Sequence, residues 1–370
     1  MSSFRVVICG GGIAAVEGLL RMHKLAGDAL DVTLLAPNDE LNYRPLAVQE
    51  PFSRRGVRRY PLRKIVGRAG AEWVQDSAEW LDPDAQVLHT AGGASLEFDA
   101  LLLAVGGRQA VPFEHVTVFD DAHADEGYHG LIQDVETGYT RSVVLIVPEG
   151  PAWLLPAYEL ALMTAERAGS MGEEGLAISV VTPEPAPLAA LGEDASRAVT
   201  DLLDRARVRV YANAKPEVPA ARQVRVGPDG PELEAGRIVT LPRIEGRPLR
   251  NVPSVEGGFV PVDEFARVPG TAGHVFAAGD ATNSPLKHGG LGAQQADVAA
   301  AGIAAMAGAD VTPEPLRPVV RVVLYTGGKP LYITARFDGD RVESEVTTEA
   351  AWPADQKIAA EELGPFLDSL

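Results

Sequence analysis

FRVVICGGGIAAVEGLL, running from Phe4 to Leu20, is the stretch whose reading decides the fold. Phe4 to Cys9 is apolar, rich in β-branched residues and stopped by three glycines, which predicts a short buried strand. Ile13 to Leu25 carries little polar interruption in its first turns and predicts a helix. Between them, Gly10-x-Gly12-x-x-Ala15 has the spacing of a dinucleotide fingerprint with alanine at its third small position. Gly10 allows the tight turn, Gly12 lets a pyrophosphate approach the backbone, and Ala15 lets the helix sit close on the strand. The start of that helix offers unpaired N–H groups and a positive dipole end to phosphates. A second strand, Asp31 to Pro37, follows about 20 residues on, as a βαβ unit requires.

Composition narrows the function. The 370 residues provide for two or three domains, and 46% hydrophobic with 23% charged residues is ordinary for a globular chain. A formal net charge of -18 argues against nucleic acid and anionic membrane surfaces as partners. With the fingerprint strand beginning at Phe4 no signal peptide is expected, and no apolar run has the length of a membrane span. A cytoplasmic setting is the resulting expectation. The one cysteine, Cys9, excludes an intramolecular disulfide and a cysteine-based metal cluster, and no metal site is expected.

Further along, Asn38 to Tyr60 is expected to be a long loop containing Tyr43-Arg44-Pro45-Leu46, and Ala71 to Leu96 a small β-meander. Phe98 to Gly107 predicts a buried strand ending in a glycine turn and returning to a parallel sheet. A second α/β unit follows, with strands at Ser142 to Pro148 and Leu176 to Thr182 and helices at Leu154 to Ala168 and Ala195 to Ala206. From His274 the chain regains first-unit character: a strand, a loop, and a helical run over Gly292 to Ala307. Two strands around Thr326 to Lys329 predict a hairpin, and Lys357 to Leu370 a terminal helix for core packing or a subunit interface, which leaves a homodimer open. The fold class is therefore α/β, with two Rossmann-like units and a small α+β C-terminal domain. Expected boundaries are 1–110 and 254–312 for a discontinuous first domain, 111–253 for the second, and 313–370 for the hairpin-plus-helix domain.

Four stretches together resemble the two-dinucleotide-binding-domain flavoproteins of glutathione-reductase type: Gly10-x-Gly12-x-x-Ala15, the turn Ala104-Val105-Gly106, Val275-Phe-Ala-Ala-Gly279-Asp280, and the helix opening after Gly289-Gly290-Leu291. Asn42-Tyr43-Arg44-Pro45 and Pro156-Ala157-Tyr158-Glu159-Leu160-Ala161 are nearest in texture to the sulfide:quinone oxidoreductase and type II NADH dehydrogenase branch. The resemblance implies FAD in the first domain. Gly10, Gly12, Ile13, Ala14 and Ala15 would hold its diphosphate, and Asp280 beside Gly279 its ribityl hydroxyls. Pro37 and Asn38 stand where the adenosine ribose is held, and Ala78 where relatives offer a backbone contact to adenine. Arg44 and Pro45 would lie near the isoalloxazine, with the Ala104-Val105-Gly106 turn beside them; Val105 replaces a threonine and removes a hydroxyl. The helix start at Gly290 and Leu291 would favour negative charge on the flavin, and Lys287 would add a positive charge. Lys287 and Glu159, the latter on the nicotinamide side, are the catalytic candidates. Solvated or ordinary helical positions are the plain alternatives for both.

The chain also departs from that pattern. The cysteine pair that disulfide reduction and sulfide oxidation require is absent, so activity on sulfide is not expected. The second unit reads Val147-Pro-Glu149-Gly-Pro151-Ala-Trp153 where NAD-binding relatives carry glycines; proline gives a phosphate no N–H and Glu149 repels it. NAD(P)H is accordingly an uncertain ligand. The acidic residue expected at the end of the second strand is replaced by Ala36-Pro37-Asn38-Asp39. A basic cluster, Arg54, Arg55, Arg58, Arg59, Arg63, Lys64 and Arg68, reads either as an anion site or as a face paired with local carboxylates. The expected function is an FAD-dependent oxidoreductase passing electrons from NAD(P)H or a small organic donor to a quinone or other small acceptor. The alternative is a non-catalytic FAD-binding sensor or assembly subunit.

Overall fold

The computed structural model describes residues 3–52, 58–120, 124–173, 175–353, 355–358 and 360–370. Two five-stranded parallel sheets organise it, and each follows from a run of apolar, β-branched residues buried on both faces. In the first sheet the strand Phe4–Cys9 is central, with Leu30–Leu35 on one side and Ala100–Leu103 on the other. Glu72–Val74 completes one edge and Val275–Ala277 the other, both parallel to their neighbours. The late strand is thus hydrogen-bonded to one formed more than 170 residues earlier in the chain, so two distant segments build a single sheet.

Alternation along these strands decides what covers each face. Val6, Ile8, Leu34, Leu102 and Phe276 point to one side and bury against the helices Ile13–Ala26 and Gly289–Met306. Val7, Cys9, Leu35, Leu101, Leu103 and Val275 point to the other and bury against Leu81 and Leu88 of a three-stranded antiparallel meander, 78–97. The two helices approach closely because small residues meet: a Cβ on Gly18 would lie 3.5 Å from that of Ala296. The late helix begins at Gly289, a turn earlier than the sequence predicted, with His288 at its N-cap.

The second sheet runs Thr117–Val118, Arg237–Thr240, Ser142–Ile146, Ala177–Val181, Val208–Tyr211, all parallel. Helices Leu155–Ser170 and Glu193–Arg205 lie on one face, within a residue or two of their predicted ends. The same core takes in Val320, Val322, Leu324, Leu331, Ile333 and Ala335 from a C-terminal antiparallel sheet.

Three expectations are corrected. The stretch 38–60 is not a structureless loop: Glu40–Tyr43 pairs with Arg58–Pro61, and Arg44–Phe52 winds as 3-10 turns, because Leu41, Leu46, Val48 and Phe52 are apolar enough to be buried. The C-terminal hairpin Val319–Leu324 and Leu331–Asp338 has a third strand, Arg341–Thr347. The terminal helix is short, Leu363–Asp368, and the chain before it is irregular. Ile358, Leu363 and Leu367 of this segment share a destination: they bury in the core of the first unit. The C-terminal region therefore touches both cores, its sheet on the second and its last residues on the first. Among the described residues no helix is long and apolar enough to cross a membrane.

Candidate functional site

Parallel sheets place ligands at the carboxyl ends of their strands. Four such ends converge in the first sheet: Gly10 donates from its backbone to Leu35 O, Ala104 to Cys9 O, and Ala278 to Leu103 O, at 2.8, 2.8 and 3.0 Å. They border one cavity of about 750 Å3, inside the range of roughly 300–1,000 Å3 typical of small-molecule sites. Gly10 sits at φ +124°, and a Cβ there would lie 2.1 Å from Ala104 O. No other residue lets these two strand ends close. At Gly12 the same Cβ would meet nothing, because the space in front of it is the cavity.

The turn Gly279–Ala281 forms the opposite rim. Gly279 N donates to Gln295 Oε1 at 2.8 Å, and its carbonyl accepts from Thr282 Oγ1 at 2.9 Å, so both backbone groups are fixed by buried side chains. A Cβ on Gly292 would lie 2.8 Å from Gly279 Cα, which makes the first turn of the late helix abut this rim. Lys287, 3% exposed, donates to Thr282 O at 2.6 Å and to Asp280 O at 3.3 Å and stands 3.7 Å from the centre of the Phe259 ring. Burial lowers its ammonium to about 8 although Asp280 opposes the shift. It clamps the turn that presents Asp280.

Of the residues singled out in the sequence, Gly10, Gly12, Ile13 and Ala14 border the cavity, as do Pro37, Asn38, Arg44, Pro45 and Ala78. So do Ala104, Val105 and Gly106, Gly279 and Asp280, and Lys287 and Glu159. Ala15, Gly290 and Leu291 do not border it; they are packed behind it, and Gly289 and Gly292 present the helix start instead. Cys9 also borders it, with burial pushing its thiol up to about 12, which leaves a small buried hydrophobe and no reactive thiolate. Of the basic cluster, Arg54 and Arg55 lie outside the described residues. Arg58 pairs with Asp355 at 2.9 Å, Arg68 donates to Ser369 O at 3.1 Å, and Arg63 covers the Trp73 ring; no described member borders the cavity.

Several neighbours were not legible beforehand. Glu40 borders the cavity beside Asn42, from the strand Glu40–Tyr43 where the sequence predicts a loop. On the far wall Glu159 is 1% exposed, and its Oε1 accepts from Lys357 Nζ at 2.6 Å and from Tyr325 N at 2.9 Å. Lys357 stands 4.4 Å from the centre of the Tyr325 ring. Burial raises the Glu159 carboxyl against the pull of Lys357, and burial lowers the Lys357 ammonium against the pull of Glu159. Next to them His288 packs on Trp153 with ring centres 4.5 Å apart, and burial with the nearby Lys357 lowers its imidazole to about 4. It is neutral at pH 7. Val48, Phe119, Leu155, Pro156 and Val322 make the rest of this wall apolar.

The second sheet's own carboxyl ends are arranged differently. Glu184 follows the strand Ala177–Val181, the position from which an acidic residue holds a dinucleotide ribose. It is 9% exposed, accepts from the Tyr158 hydroxyl and from Thr182 Oγ1, and does not border the cavity. Burial raises its carboxyl.

The fit to FAD rests on the space itself. Gly12 faces open cavity, and three buried polar atoms without a protein partner, Asn42 Oδ1, Glu159 Oε2 and His288 Nδ1, belong to residues along its length. An elongated ligand with an amphipathic ring and a polar arm suits that lining.

Comparison with known proteins agrees with the geometry. The family model described as pyridine nucleotide-disulphide oxidoreductase matches residues 4–302. A sulfide-quinone reductase of Aquifex aeolicus is 27% identical over 168 residues, which cover 43% of this chain and only 38% of that protein. Among solved structures, the sulfide:quinone oxidoreductase of Aquifex aeolicus superposes with a TM-score of 0.82 at 21% identity, covering 94% of this chain and 87% of that one. A NAD-dependent persulfide reductase from A. fulgidus gives 0.65 at 17% over 91% and 64% of the chains. A ferredoxin reductase from Rhodopseudomonas palustris gives 0.65 at 18% over 90% and 83%.

Proposed function

This chain belongs to the pyridine nucleotide-disulphide oxidoreductase family as an FAD-dependent oxidoreductase, and from that premise we propose that it oxidises a small organic donor rather than NAD(P)H. The acceptor in this reading is a quinone or another small carrier, and no cysteine pair takes part. FAD, when bound, supplies the two-electron chemistry that links donor to acceptor. Gly10, Gly12 and the start of the helix Ile13–Ala26 would hold its diphosphate, Asp280 its ribityl arm, and Asn38 or Glu40 its adenosine end. The first turn of the helix Gly289–Met306 would favour negative charge on the ring. Glu159, Lys357 and His288 would exchange protons with a substrate lodged against Trp153, Leu155 and Val322, in a wall dry enough to keep water out. The domains of this reading are 1–110 with 254–312, 111–253, and 313–370.

The carrying observation is Glu184. A ribose-binding carboxylate has to be open to ligand, and here it is buried on Tyr158 and Thr182. Pro148 and Pro151 remove backbone donors from the turn that would cradle a pyrophosphate. The test is anaerobic mixing of the yellow protein with NADH and NADPH, and of the photoreduced protein with a quinone. Reoxidation by the quinone with no bleaching by either nicotinamide supports this reading; rapid bleaching by either nicotinamide overturns it. The eroded turn at Val147–Trp153 also supports a second reading, a flavin-binding subunit without turnover, which a photoreduced flavin that the quinone leaves reduced would favour.

A further inference from the structure

The far wall of the cavity depends on a piece of chain that belongs to neither sheet. Lys357 and Ile358 border the cavity, and they are carried by the C-terminal segment from Asp355 onward. That segment is fastened at several points. Lys357 Nζ bonds Glu159 Oε1 at 2.6 Å, Ile358 N donates to the Tyr43 hydroxyl at 3.3 Å, and Asp355 pairs with Arg58 across a half-exposed surface. A further attachment lies on the first unit. Glu17, in the middle of the helix Ile13–Ala26 and 0% exposed, accepts the backbone N–H of Glu362 on Oε1 at 2.9 Å and that of Leu363 on Oε2 at 2.7 Å. Both of its oxygens are therefore spent on the segment. A fully buried carboxylate with two backbone donors and no cation bonded to it is unusual. Arg21, one turn along, is bonded to Glu361 and Glu362 at 3.0 and 2.9 Å, and Lys24 to Glu362 at 2.7 Å.

A second carboxyl faces Glu17 from the helix Gly289–Met306. The two helices pack on each other, the Asp297 and Glu17 carboxyls act directly on one another, and among the described residues Asp297 Oδ1 is buried without a partner. Two carboxyl groups bonded to each other hold one proton between them, because like charges at that distance do not both persist in a buried site. Burial raises the Glu17 carboxyl, but the two backbone N–H groups it accepts oppose that rise and favour its ionised form over that of Asp297, which accepts none among the described residues. The proton therefore resides on Asp297, which donates to Glu17. We propose that Glu17 and Asp297 form a proton-bridged latch that seats the C-terminal segment and, through it, positions Lys357 in the cavity wall. Glu17 acts through Lys357 and touches no substrate.

The charged groups acting on the pair are Arg21 on the helix Ile13–Ala26 and Glu361 and Glu362 on the segment. Burial is the largest influence on Asp297, Glu17 and Glu361 add to it, and Arg21 opposes; together they lift its carboxyl to about 8. Released into water, the same group titrates near the ordinary aspartate value of about 4. The seated segment thus binds one more proton than the released one between those limits, so raising the pH across that window favours release. Above about 8 both forms are ionised and the dependence levels off.

Hydrogen exchange on the FAD-loaded protein tests this. After correction for intrinsic exchange, protection of the Glu362 and Leu363 amides falls by roughly tenfold per pH unit between pH 5 and 8. Asp297→Asn keeps a donor for Glu17 but has no proton to lose, so its profile is flat. Glu17→Gln loses protection of these two amides at every pH while the strand Phe4–Cys9 stays protected. Trace acylation followed by mass spectrometry then shows Lys357 labelled several-fold faster in Glu17→Gln than in the parent. A flat parental profile overturns the latch, as does an Asp297→Asn slope equal to the parent's. The inference rests on the cavity being the redox site, and the two fail separately: exchange reads the latch, and the colour and bleaching of the preparation read the flavoenzyme.

Discussion

Gly10 carries two burdens at once, a φ of +124° and a carbonyl 2.1 Å from where its Cβ would stand. Gly10→Ala is expected to destabilise the chain by about 2–4 kcal/mol and to abolish FAD retention, measured by thermal unfolding and by the visible spectrum. Asp280→Ala leaves the carbonyl bonds from Lys287 in place but takes away the carboxylate that supports its charge. It should weaken FAD binding by about ten- to a hundred-fold, read by fluorescence of released flavin. His288 offers a pH test. Its folded value of about 4 lies below the unfolded one, so the unfolded state binds the extra proton as the pH falls below about 6.5. Stability is whole above that pH and declines by up to about 3 kcal/mol toward pH 4; His288→Asn should remove this share of the slope in denaturant titrations at stepped pH.

At the level of elements, the first strand, its glycine turn and the helix after it were legible because their chemistry is local. Each requirement of the turn is met within twelve residues of sequence. Lys357 and Glu184 were not, since the significance of each comes from a partner far away in the chain or from burial that spacing does not reveal. The strand Arg341–Thr347 was missed although Val342, Ser344 and Val346 alternate with charged residues; it is an edge strand, and half-exposed alternation gives little contrast. The expectation of a long terminal helix comes from Ile358, Leu363, Phe366, Leu367 and Leu370, which have roughly helical spacing. Ile358 buries ahead of the six-residue helix, and Leu370 beyond it is exposed. Leu363, 1% exposed, anchors that helix to the first core. Leu363→Ala should cost about 2–4 kcal/mol and raise proteolysis after Asp355 before any other site is cut, seen by mass spectrometry of early fragments.

Across the whole molecule, the pair Glu159–Lys357 ties the helix Leu155–Ser170 of the second unit to the segment packed on the first. Glu159→Gln strands a buried ammonium and is expected to cost about 3–5 kcal/mol, whereas Glu159→Gln with Lys357→Met removes both charges and should recover most of it. A double-mutant cycle in urea checks this. Order along the chain has one more consequence. The sheet that frames the cofactor is closed at one edge by Val275–Ala277, and the rim opposite Gly10 is shaped by Gly292. A nascent polypeptide leaving the ribosome from its amino end therefore exposes the phosphate turn long before it can grip anything. Coenzyme capture has to wait until translation is nearly finished, and fragments ending before Val275 should emerge colourless.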